Sequence, residues 1–488
     1  MKKSSDKNNR RTWLAIFRFT VVAAAGALLP LGTISAADTA ELISIGIDGQ
    51  AGSSSSYYTF NEIRAEAVSA DGRFVAFSST AENLIEPGDE CNTSSWNVYL
   101  RDRDNATTNM LTCTPNLFSG SSVQGEAAIT PDGTAIAFMS TNGNLVENDT
   151  NGSADIFVYS ANGLERVSLA SDGSQGSGCP CGWPDFCYCE YFTYCSHPTI
   201  SADGRYVAFA SYAVDFFDGD LPDTLDVFLH DRELGTTEMI SVTPGGAKAN
   251  GDSWEPSISA DGEYVAFTSK ADDLGVDDGN GVQDIYLWER QTGVIQRVSL
   301  SSDGSEANGF SADPVIDAMA GRIVFTSGAT NLATPDVNGY YTDVFMHDRT
   351  SGETVMLSAN MESGGARPAI SDDGTTVSFT SSDDIYRVKI DGTGAANLVV
   401  TNMQYSALSH AGEAMAVSGY NSLLPEDTNS DKDVYLLVDD GQVEPPPPGI
   451  EICDDNIDND GDGLVDCSDR LDCRKDSACR TTGGGKKK

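Results

Sequence analysis

Residues 198–209 read Pro-Thr-Ile-Ser-Ala-Asp-Gly-Arg-Tyr-Val-Ala-Phe, and residues 256–267 read Pro-Ser-Ile-Ser-Ala-Asp-Gly-Glu-Tyr-Val-Ala-Phe. In each stretch an apolar segment enters an Asp-Gly turn, and a Val-Ala-Phe segment leaves it. Asp-Gly favours a tight hairpin because glycine accepts positive φ at no steric cost. Two such hairpins, 58 residues apart, indicate an internal structural repeat.

The pattern of a turn glycine followed by an apolar strand recurs along most of the chain. Seven copies, the last of them degenerate, are centred on Gly72, Gly133, Gly204, Gly262, Gly321, Gly374 and Gly412. Each copy adds a third strand, such as residues 226–229 or 343–346, and a fourth, such as residues 166–169 or 297–300. No segment after the N-terminal region has the apolar period of a helix. Four short strands per repeat, seven times, predict an all-β fold: a seven-bladed β-propeller over residues 38–443.

The seventh copy lacks a fourth strand, because the chain runs from residues 433–436 directly into a proline-rich linker at 444–450. The missing strand is available at the other end of the chain, where residues 41–45 match residues 297–300. We therefore expect residues 41–45 to complete blade seven and close the ring, which hides the edges of the first and last blades.

The repeated Ser-x-Asp-Gly and Val-Ala-Phe segments resemble the WD40-like PD40 repeats of TolB-type propellers. The resemblance covers roughly residues 40–438. The chain lacks the N-terminal α/β domain of TolB, so the resemblance implies the propeller fold but not the Tol–Pal role.

Residues 1–37 have the pattern of an export signal. A lysine- and arginine-rich start precedes a short apolar run, and Ser35-Ala36-Ala37 offers small residues for cleavage after Ala37. A transmembrane anchor is the alternative, although the run is short for one. Arg10-Arg11 leaves the twin-arginine and general secretion routes both open. The prediction is an exported bacterial protein, periplasmic or extracellular.

The charge balance excludes some partners. The chain has 30 Lys+Arg against 73 Asp+Glu, a formal net charge of −43. Binding to nucleic-acid phosphate or to anionic lipid requires a basic surface, so neither partner is expected. An acidic protein suits cations and stays soluble, and we expect a monomer.

Eleven cysteines in an exported chain predict disulfides. Cys91 and Cys113 lie in the first repeat and are expected to pair. Five more crowd an insertion that is rich in aromatic residues: Cys179, Cys181, Cys187, Cys189 and Cys195. This insertion is either a disulfide-stapled loop or a zinc or iron–sulfur site, and the second option would make the protein a metal carrier. Its aromatic residues serve either as a ligand contact or as a self-packed cap.

Residues 451–480 form a cysteine- and aspartate-rich module, followed by a tail at 481–488 that is expected to be disordered. The module contains an array of six oxygen ligands in the order Asp458, Asp460, Asp462, Leu464 (through its carbonyl), Asp466 and Asp469. Such an array suits calcium, with Gly463 allowing the sharp turn. The array resembles the EF-hand-like loops of thrombospondin type 3 repeats, although Asp469 replaces the usual Glu at the last position. The alternative is a solvated acidic tail.

Acidic loops also recur inside the propeller, at residues 148–155, 277–284, 336–343 and 427–433. They are interpreted either as calcium sites or as Asx turns that cap the next strand.

Catalytic signatures are few. The chain has four histidines, and His230 and His347 occupy one repeat position that carries Arg101 in the first blade, which predicts a structural role. No Gly-x-Ser-x-Gly nucleophile elbow is present. The predicted function is therefore non-catalytic binding of a protein or glycan. The alternative is a polysaccharide lyase or hydrolase. The lyase would be favoured if two or more histidines converged with a carboxylate at the central channel.

Overall fold

The computed structural model describes residues 34–35, 38–52, 61–62, 67–85, 91, 96–113, 127–176, 195–217, 224–275, 278–333, 339, 341–390, 396–425, 427–429 and 431–439. These residues form seven four-stranded antiparallel sheets and one short 3₁₀ turn at Val214–Phe216. The structure confirms the all-β seven-bladed propeller. No helix among the residues described is long and apolar enough to cross a membrane.

The strands follow one another from the channel outward in each blade. Blade one contains β2 Asn61–Glu62, β3 Phe74–Ser79, β4 Asn97–Asp102 and β5 Thr107–Met110. Blade two contains β6 Ala127–Ile129, β7 Ala135–Ser140, β8 Asp155–Ser160 and β9 Gly163–Arg166. Blade three contains β10 Cys195–Ile200, β11 Tyr206–Ser211, β12 Asp226–Asp231 and β13 Thr236–Met239. Blades four and five contain β14 Ser253–Ile258, β15 Tyr264–Ser269, β16 Asp284–Glu289 and β17 Val294–Arg297; and β18 Ser311–Ile316, β19 Arg322–Ser327, β20 Asp343–Asp348 and β21 Glu353–Met356. Blades six and seven contain β22 Ala366–Ile370, β23 Thr376–Ser381, β24 Asp384–Lys389 and β25 Ala396–Val400; and β26 Tyr405–Leu408, β27 Ala414–Gly419, β28 Asp433–Asp439 and β1 Asp38–Leu42.

The Ser-x-Asp-Gly turn holds each hairpin through its own side chains. In blade three, Ser201 donates its hydroxyl to Asp203 at 2.6 Å, and the Tyr206 N–H donates back to Ser201 Oγ at 2.9 Å. Gly204 has φ +72°, the left-handed conformation that the turn requires. In blade five Asp317 replaces the serine, and its carboxylate accepts the Gly321 and Arg322 N–H groups directly. The repeated polar motif is therefore structural.

Neighbouring blades pack through the Val-Ala-Phe strands. The phenylalanine of each second strand is fully buried in six blades and stacks on an aromatic ring of the third strand, as Phe209 does on Phe228 with ring centroids 5.9 Å apart. Burying each such side chain contributes roughly 1.5–3 kcal/mol. This explains why the Phe of the repeat is kept while its flanking residues vary.

The N-terminal strand closes the ring as expected. β1 pairs antiparallel with β28, with Glu41 opposite Leu436, and forms the outer strand of blade seven. The predicted bounds need correction, because the strand ends at Leu42 rather than at residue 45. The predicted fourth strands at residues 166–169 and 297–300 are also wrong, since β9 and β17 end at Arg166 and Arg297.

A serine side chain explains each of these three corrections. Two residues after each strand, the serine hydroxyl replaces a backbone carbonyl as the acceptor of an N–H group of the neighbouring strand. Ser44 Oγ accepts from the Val434 N–H at 3.0 Å, and Ser299 Oγ accepts from the Ile285 N–H at 3.1 Å. The ladder therefore stops before the serine.

Candidate ligand site at the central channel

The innermost strands of blades three to six each contain a proline, and each strand bulges there. The pairing register shifts across the proline in β10, β14, β18 and β22. Proline lacks the N–H that the ladder needs, so a bulge is the arrangement that accommodates it. The residue before each proline adopts φ of +53° or +54°: His197, Glu255, Asp313 and Arg367. Positive φ is uncommon for residues other than glycine, and such conformations concentrate at functional sites.

The four bulged residues line one cavity of about 470 Å³ in the channel. Blade two contributes Ala127 and Ala128 to its wall, and blade seven contributes Tyr405 and Ser406. The same backbone device in four consecutive blades thus presents one His, two acids and one Arg to a shared space.

Glu255 and Asp313 form an acid pair on one side of the cavity. Glu255 Oε2 accepts the Asp313 N–H at 3.0 Å and the Thr268 hydroxyl at 3.1 Å. Burial and the neighbouring Asp313 carboxylate raise the pKa of Glu255 to about 7. Glu255 therefore titrates near neutral pH.

The adjoining wall is basic and aromatic. The Arg367 guanidinium lies over the Tyr405 ring at 4.7 Å from its centroid, and the Lys432 ammonium lies 4.1 Å from the same centroid. The cavity thus changes from acidic at blades four and five to basic at blade six, where Arg367 lines it.

The four histidines do not converge. His230 Nδ1 forms a hydrogen bond with Thr237 Oγ1 at 2.8 Å, and His347 Nδ1 forms one with Thr354 Oγ1 at 2.9 Å. In both cases the threonine lies in the next strand. Arg101 makes the corresponding contact with Thr108 at 3.1 Å, which confirms the structural interpretation of this repeat position. Burial lowers the pKa of both His230 and His347.

The other two histidines occupy different parts of the channel. His197 lines the main cavity. His410 lines a separate, smaller cavity, where its ring nitrogens contact Asp372 Oδ1 at 2.7 Å and Ile129 O at 3.0 Å. The convergence that would favour a lyase is therefore not found among the four.

Sequence reasoning missed the acid pair and Arg367. The available signal was the residue before each repeat proline, which is polar or charged in four blades: His197, Glu255, Asp313 and Arg367. The repeat pattern alone does not show that the proline imposes a bulge on its strand.

The acidic loops contain the expected Asx turns. Asn151, Asn280 and Asn429 accept the Ser153, Val282 and Asp431 N–H groups through their side-chain oxygens at 3.1, 2.7 and 2.8 Å. Asp336 and Asn338 lie outside the described residues. In blade four the structure also brings Asp278, Asp284 and Glu306 together, and Glu306 was not anticipated from the sequence.

Two further sequence predictions concern cysteines and calcium. The structure joins Cys91 and Cys113 by a disulfide, with Cα atoms 5.1 Å apart, as predicted. The insertion residues Cys179, Cys181, Cys187 and Cys189 lie outside the described residues, and Cys195 is the first residue of β10. The predicted calcium ligands at 458–469 also lie outside them.

Comparison with known proteins shows the same fold. No family model and no curated protein matches the chain. Among solved structures, an oligogalacturonate lyase from Vibrio parahaemolyticus is similar over 84% of this chain and 98% of that chain, at 10% identity and a TM-score of 0.50. The chain has the β-propeller fold of these proteins.

Two other propellers are also similar at low identity. TolB from Acinetobacter baumannii matches over 76% of this chain and 81% of its own, at 16% identity and a TM-score of 0.38. The β-propeller domain of the trilobed protease from Pyrococcus furiosus matches over 78% and 95%, at 13% identity and a TM-score of 0.45. At identities this low, function has to be argued from the residues of this chain's own site.

Proposed function

We propose that this chain is an exported, non-catalytic β-propeller that binds a protein or glycan ligand in its central cavity. The observation that carries the proposal is the ring of four bulged residues, His197, Glu255, Asp313 and Arg367, in one cavity of about 470 Å³. Four strained backbones that aim polar side chains at one space are costly to stability. Such a cost is typical of a site under functional demand.

The spacing of the acid pair favours binding over glycoside hydrolysis. Two-carboxylate hydrolysis needs carboxyl groups about 5–9.5 Å apart, so that a sugar or a water fits between them. Glu255 and Asp313 are instead in direct contact, because the Glu255 carboxylate accepts the Asp313 backbone N–H at 3.0 Å. A pair this close acts as one acceptor for a positively charged group.

The cavity chemistry indicates a ligand that carries an amine. An ammonium group would displace the proton that Glu255 holds and would ion-pair with the acid pair. The Arg367 guanidinium, which lies over the Tyr405 ring, would bind an anionic or polar group of the same ligand. Because the Glu255 pKa is raised to about 7, amine binding should tighten as pH rises from 6 to 8.

A binding screen tests this proposal directly. Amino-sugar oligosaccharides and lysine-containing peptides are titrated against the full chain, each beside its N-acetylated counterpart. Glu255→Gln should abolish amine binding, whereas Glu353→Gln on the exposed outer strand of blade five should leave it unchanged. Equal binding by amine and acetylated ligands, unaffected by Glu255→Gln, would place the ligand site elsewhere.

A second candidate is a polysaccharide-active lyase or hydrolase. The observation that favours it is again Glu255, since a pKa of about 7 in a cavity suits a general acid or base. Incubation with oligogalacturonates and other oligosaccharides, followed by product analysis, tests this alternative. Turnover that is lost in Glu255→Gln and kept in Glu353→Gln would favour the enzyme.

Further proposals rest on the sequence alone. They are export directed by residues 1–37, a monomeric state, and calcium binding by Asp458, Asp460, Asp462, Leu464, Asp466 and Asp469. The metal-carrier alternative depends on the cysteine insertion and is tested by the thiol measurement below.

A further inference from the structure

The turns of the repeat narrow the channel at one face of the propeller. In most blades, the residue after the first polar residue of the turn joins the neighbouring blade through the backbone. Blades three to six each donate such an N–H group to a carbonyl of the next blade, at 2.9, 2.9, 2.9 and 2.8 Å: Ala202 to Ala260, Ala260 to Ala318, Ala318 to Asp372, and Asp372 to His410. Blade one joins blade two in the same way, because the Ala70 N–H donates to Pro131 O at 2.8 Å. The turns therefore form a belt around this end of the channel.

The space inside this belt is too small for a ligand. It measures about 40 Å³, and turn residues of six blades line it: Pro131, Ala202, Ala260, Ala318, Asp372 and His410. The His410 ring extends from blade seven to Ile129 O of blade two, at 3.0 Å. A space of this size holds water molecules but no amino-acid residue.

The main cavity lies next to this narrow end along the channel, since Val315 lines both spaces. A ligand therefore approaches from the opposite face, where β10, β14, β18 and β22 begin. The cavity volume of about 470 Å³ is typical of pockets that enclose one small molecule. A polymer cannot pass through the channel, so the part of it that the cavity encloses is one end of the chain.

The protein itself does not neutralise the charges on the cavity wall. Among the described residues, Glu255, Asp313 and Arg367 form no ion pair, although all three line the cavity. Other arginines of the propeller are paired, as Arg205 is with Asp231 at 2.7 Å. A complementary ligand presents a positive group to the two acids and a hydrogen-bond acceptor to Arg367.

Both carboxylates are held in place by threonines of the second strands. The Thr268 hydroxyl donates to Glu255 Oε2 at 3.1 Å, and the Thr326 hydroxyl donates to Asp313 Oδ2 at 3.1 Å. The two threonines occupy the same position in β15 and β19. Acceptors that are already oriented lower the entropic cost of binding, and they suit a compact group with three N–H donors, such as an ammonium.

We propose that the cavity binds the N-terminal end of a polypeptide, an inference that rests on the function proposed above. The α-ammonium group lies between Glu255 and Asp313, and the first carbonyl oxygen accepts a hydrogen bond from Arg367. Prolines of four blades give the first side chain an apolar wall: Pro198, Pro256, Pro314 and Pro368. An amino-sugar chain fits less well, because Tyr405, the one phenol ring on the described wall, already packs against Arg367.

Recognition of an α-amine differs from recognition of a lysine in its pH dependence. Binding requires an ionised Glu255, whose pKa burial and Asp313 raise to about 7. It also requires a protonated amine, and the pKa is about 8 for an α-amine but about 10.4 for lysine. Affinity for a polypeptide N-terminus should therefore peak at about pH 7–8, whereas affinity for lysine should rise to about pH 9. The other titratable or charged groups on the wall are Asp313, His197, Arg367 and Tyr405. His197→Asn controls for the histidine, since Asn tolerates positive φ.

Isothermal titration of the full chain at about pH 7.5 compares four ligands. They are a tripeptide amide without lysine, its N-acetylated form, an N-acetylated peptide with one lysine, and a glucosamine oligosaccharide. The tripeptide amide should bind about tenfold more tightly than each of the others. Glu255→Gln should weaken its binding about tenfold or more, because a charge-assisted hydrogen bond is lost. Glu353→Gln, on the exposed outer strand of blade five, should leave binding unchanged. Ten further residues at the C-terminal end of the peptide should alter Kd less than about threefold, since they lie outside the cavity.

Different results would overturn the inference and the function on which it rests. Equal or tighter binding of the lysine peptide or the oligosaccharide, lost in Glu255→Gln, would exclude N-terminal recognition and keep the amine site. An affinity for the tripeptide that rises to about pH 9 would exclude it too. Binding of none of the four ligands, or equal binding of all four that Glu255→Gln leaves unchanged, would overturn the proposed function as well.

Discussion

Arg387 of blade six donates both terminal guanidinium nitrogens to the Asp38 carboxylate of β1, at 3.1 Å each. The Asp38 side chain is fully buried and the Arg387 side chain nearly so. The closing strand is thus held on two sides: by its ladder with β28 in blade seven, and by an ion pair with blade six.

Loss of the Asp38 carboxylate should lower the stability of the fold, because the Arg387 side chain stays buried without it. Asp38→Asn is expected to lower the free energy of unfolding by about 3 kcal/mol, as for other broken buried pairs. Glu41→Gln, which breaks the partly exposed pair with Arg103, should cost less than about 1 kcal/mol. Urea unfolding of the two variants gives the comparison, and equal costs would contradict a special role for the Asp38–Arg387 pair.

Removal of the whole closing strand should do more than lower stability. Deletion of residues 38–47 leaves β28 with an unpaired edge and a row of free backbone groups. We expect a markedly lower Tm and aggregation through that edge. Light scattering and thermal melting measure both effects, and an unchanged, monomeric deletion variant would mean that β1 is dispensable for closure.

Stability should depend on pH through the buried acids. Burial raises the pKa of Glu255 and of Asp433 to about 7, and that of Asp284 to about 6. A raised folded-state pKa means that the folded protein binds more protons than the unfolded chain between pH 4 and 7. These groups therefore lower stability as pH rises through that range. Carboxylates that are paired with arginines have the opposite effect on stability. Hydrogen bonding to Arg73 lowers the pKa of Asp102, so this pair stabilises the folded protein at neutral pH and stops doing so only in strong acid.

Urea midpoints measured in chelator at pH 5.5 and pH 8 test this sign. The midpoint should be lower at pH 8, and Glu255→Gln should reduce the difference. Glu353→Gln serves as the control, because its carboxylate is exposed. A midpoint that rises from pH 5.5 to pH 8 would contradict the burial of these acids.

The sequence allowed prediction of the architecture because the information is local and repeated. Asp-Gly turns such as that at Gly204, and buried residues such as Phe209, recur often enough to count blades and to identify 41–45 as the missing strand. The predicted strand ends were wrong because the Ser44 and Ser299 hydroxyls end the ladder of backbone hydrogen bonds. The sequence shows that a serine is present but does not show which group its hydroxyl contacts.

The cavity was harder to predict because it is assembled from different blades. Glu255 and Asp313 are 58 residues apart, and their contact follows from the bulge at each proline.

The cysteines should be oxidised in the mature protein. The Cys91–Cys113 disulfide is expected to persist, and at most one or two of the eleven cysteines should react with a thiol probe after denaturation without reductant. Metal analysis should show no stoichiometric zinc or iron. Four or five reactive thiols together with one bound zinc would instead support the metal-carrier alternative.

Calcium should also bind the C-terminal module, with lower affinity than a calcium sensor. Asp458, Asp460, Asp462, Asp466 and Asp469 place five carboxylates within twelve residues, so they repel one another until a cation neutralises them. A Kd on the order of 10⁻⁴–10⁻³ M is expected, as for extracellular modules, because Asp469 reaches less far than a glutamate. Isothermal titration compares the full chain with the same chain carrying Asp458→Ala/Asp462→Ala. Since the proline-rich linker uncouples the module from the propeller, these substitutions should reduce the heat of calcium binding and leave Tm unchanged. Equal heats from both proteins would identify residues 451–480 as a solvated acidic segment.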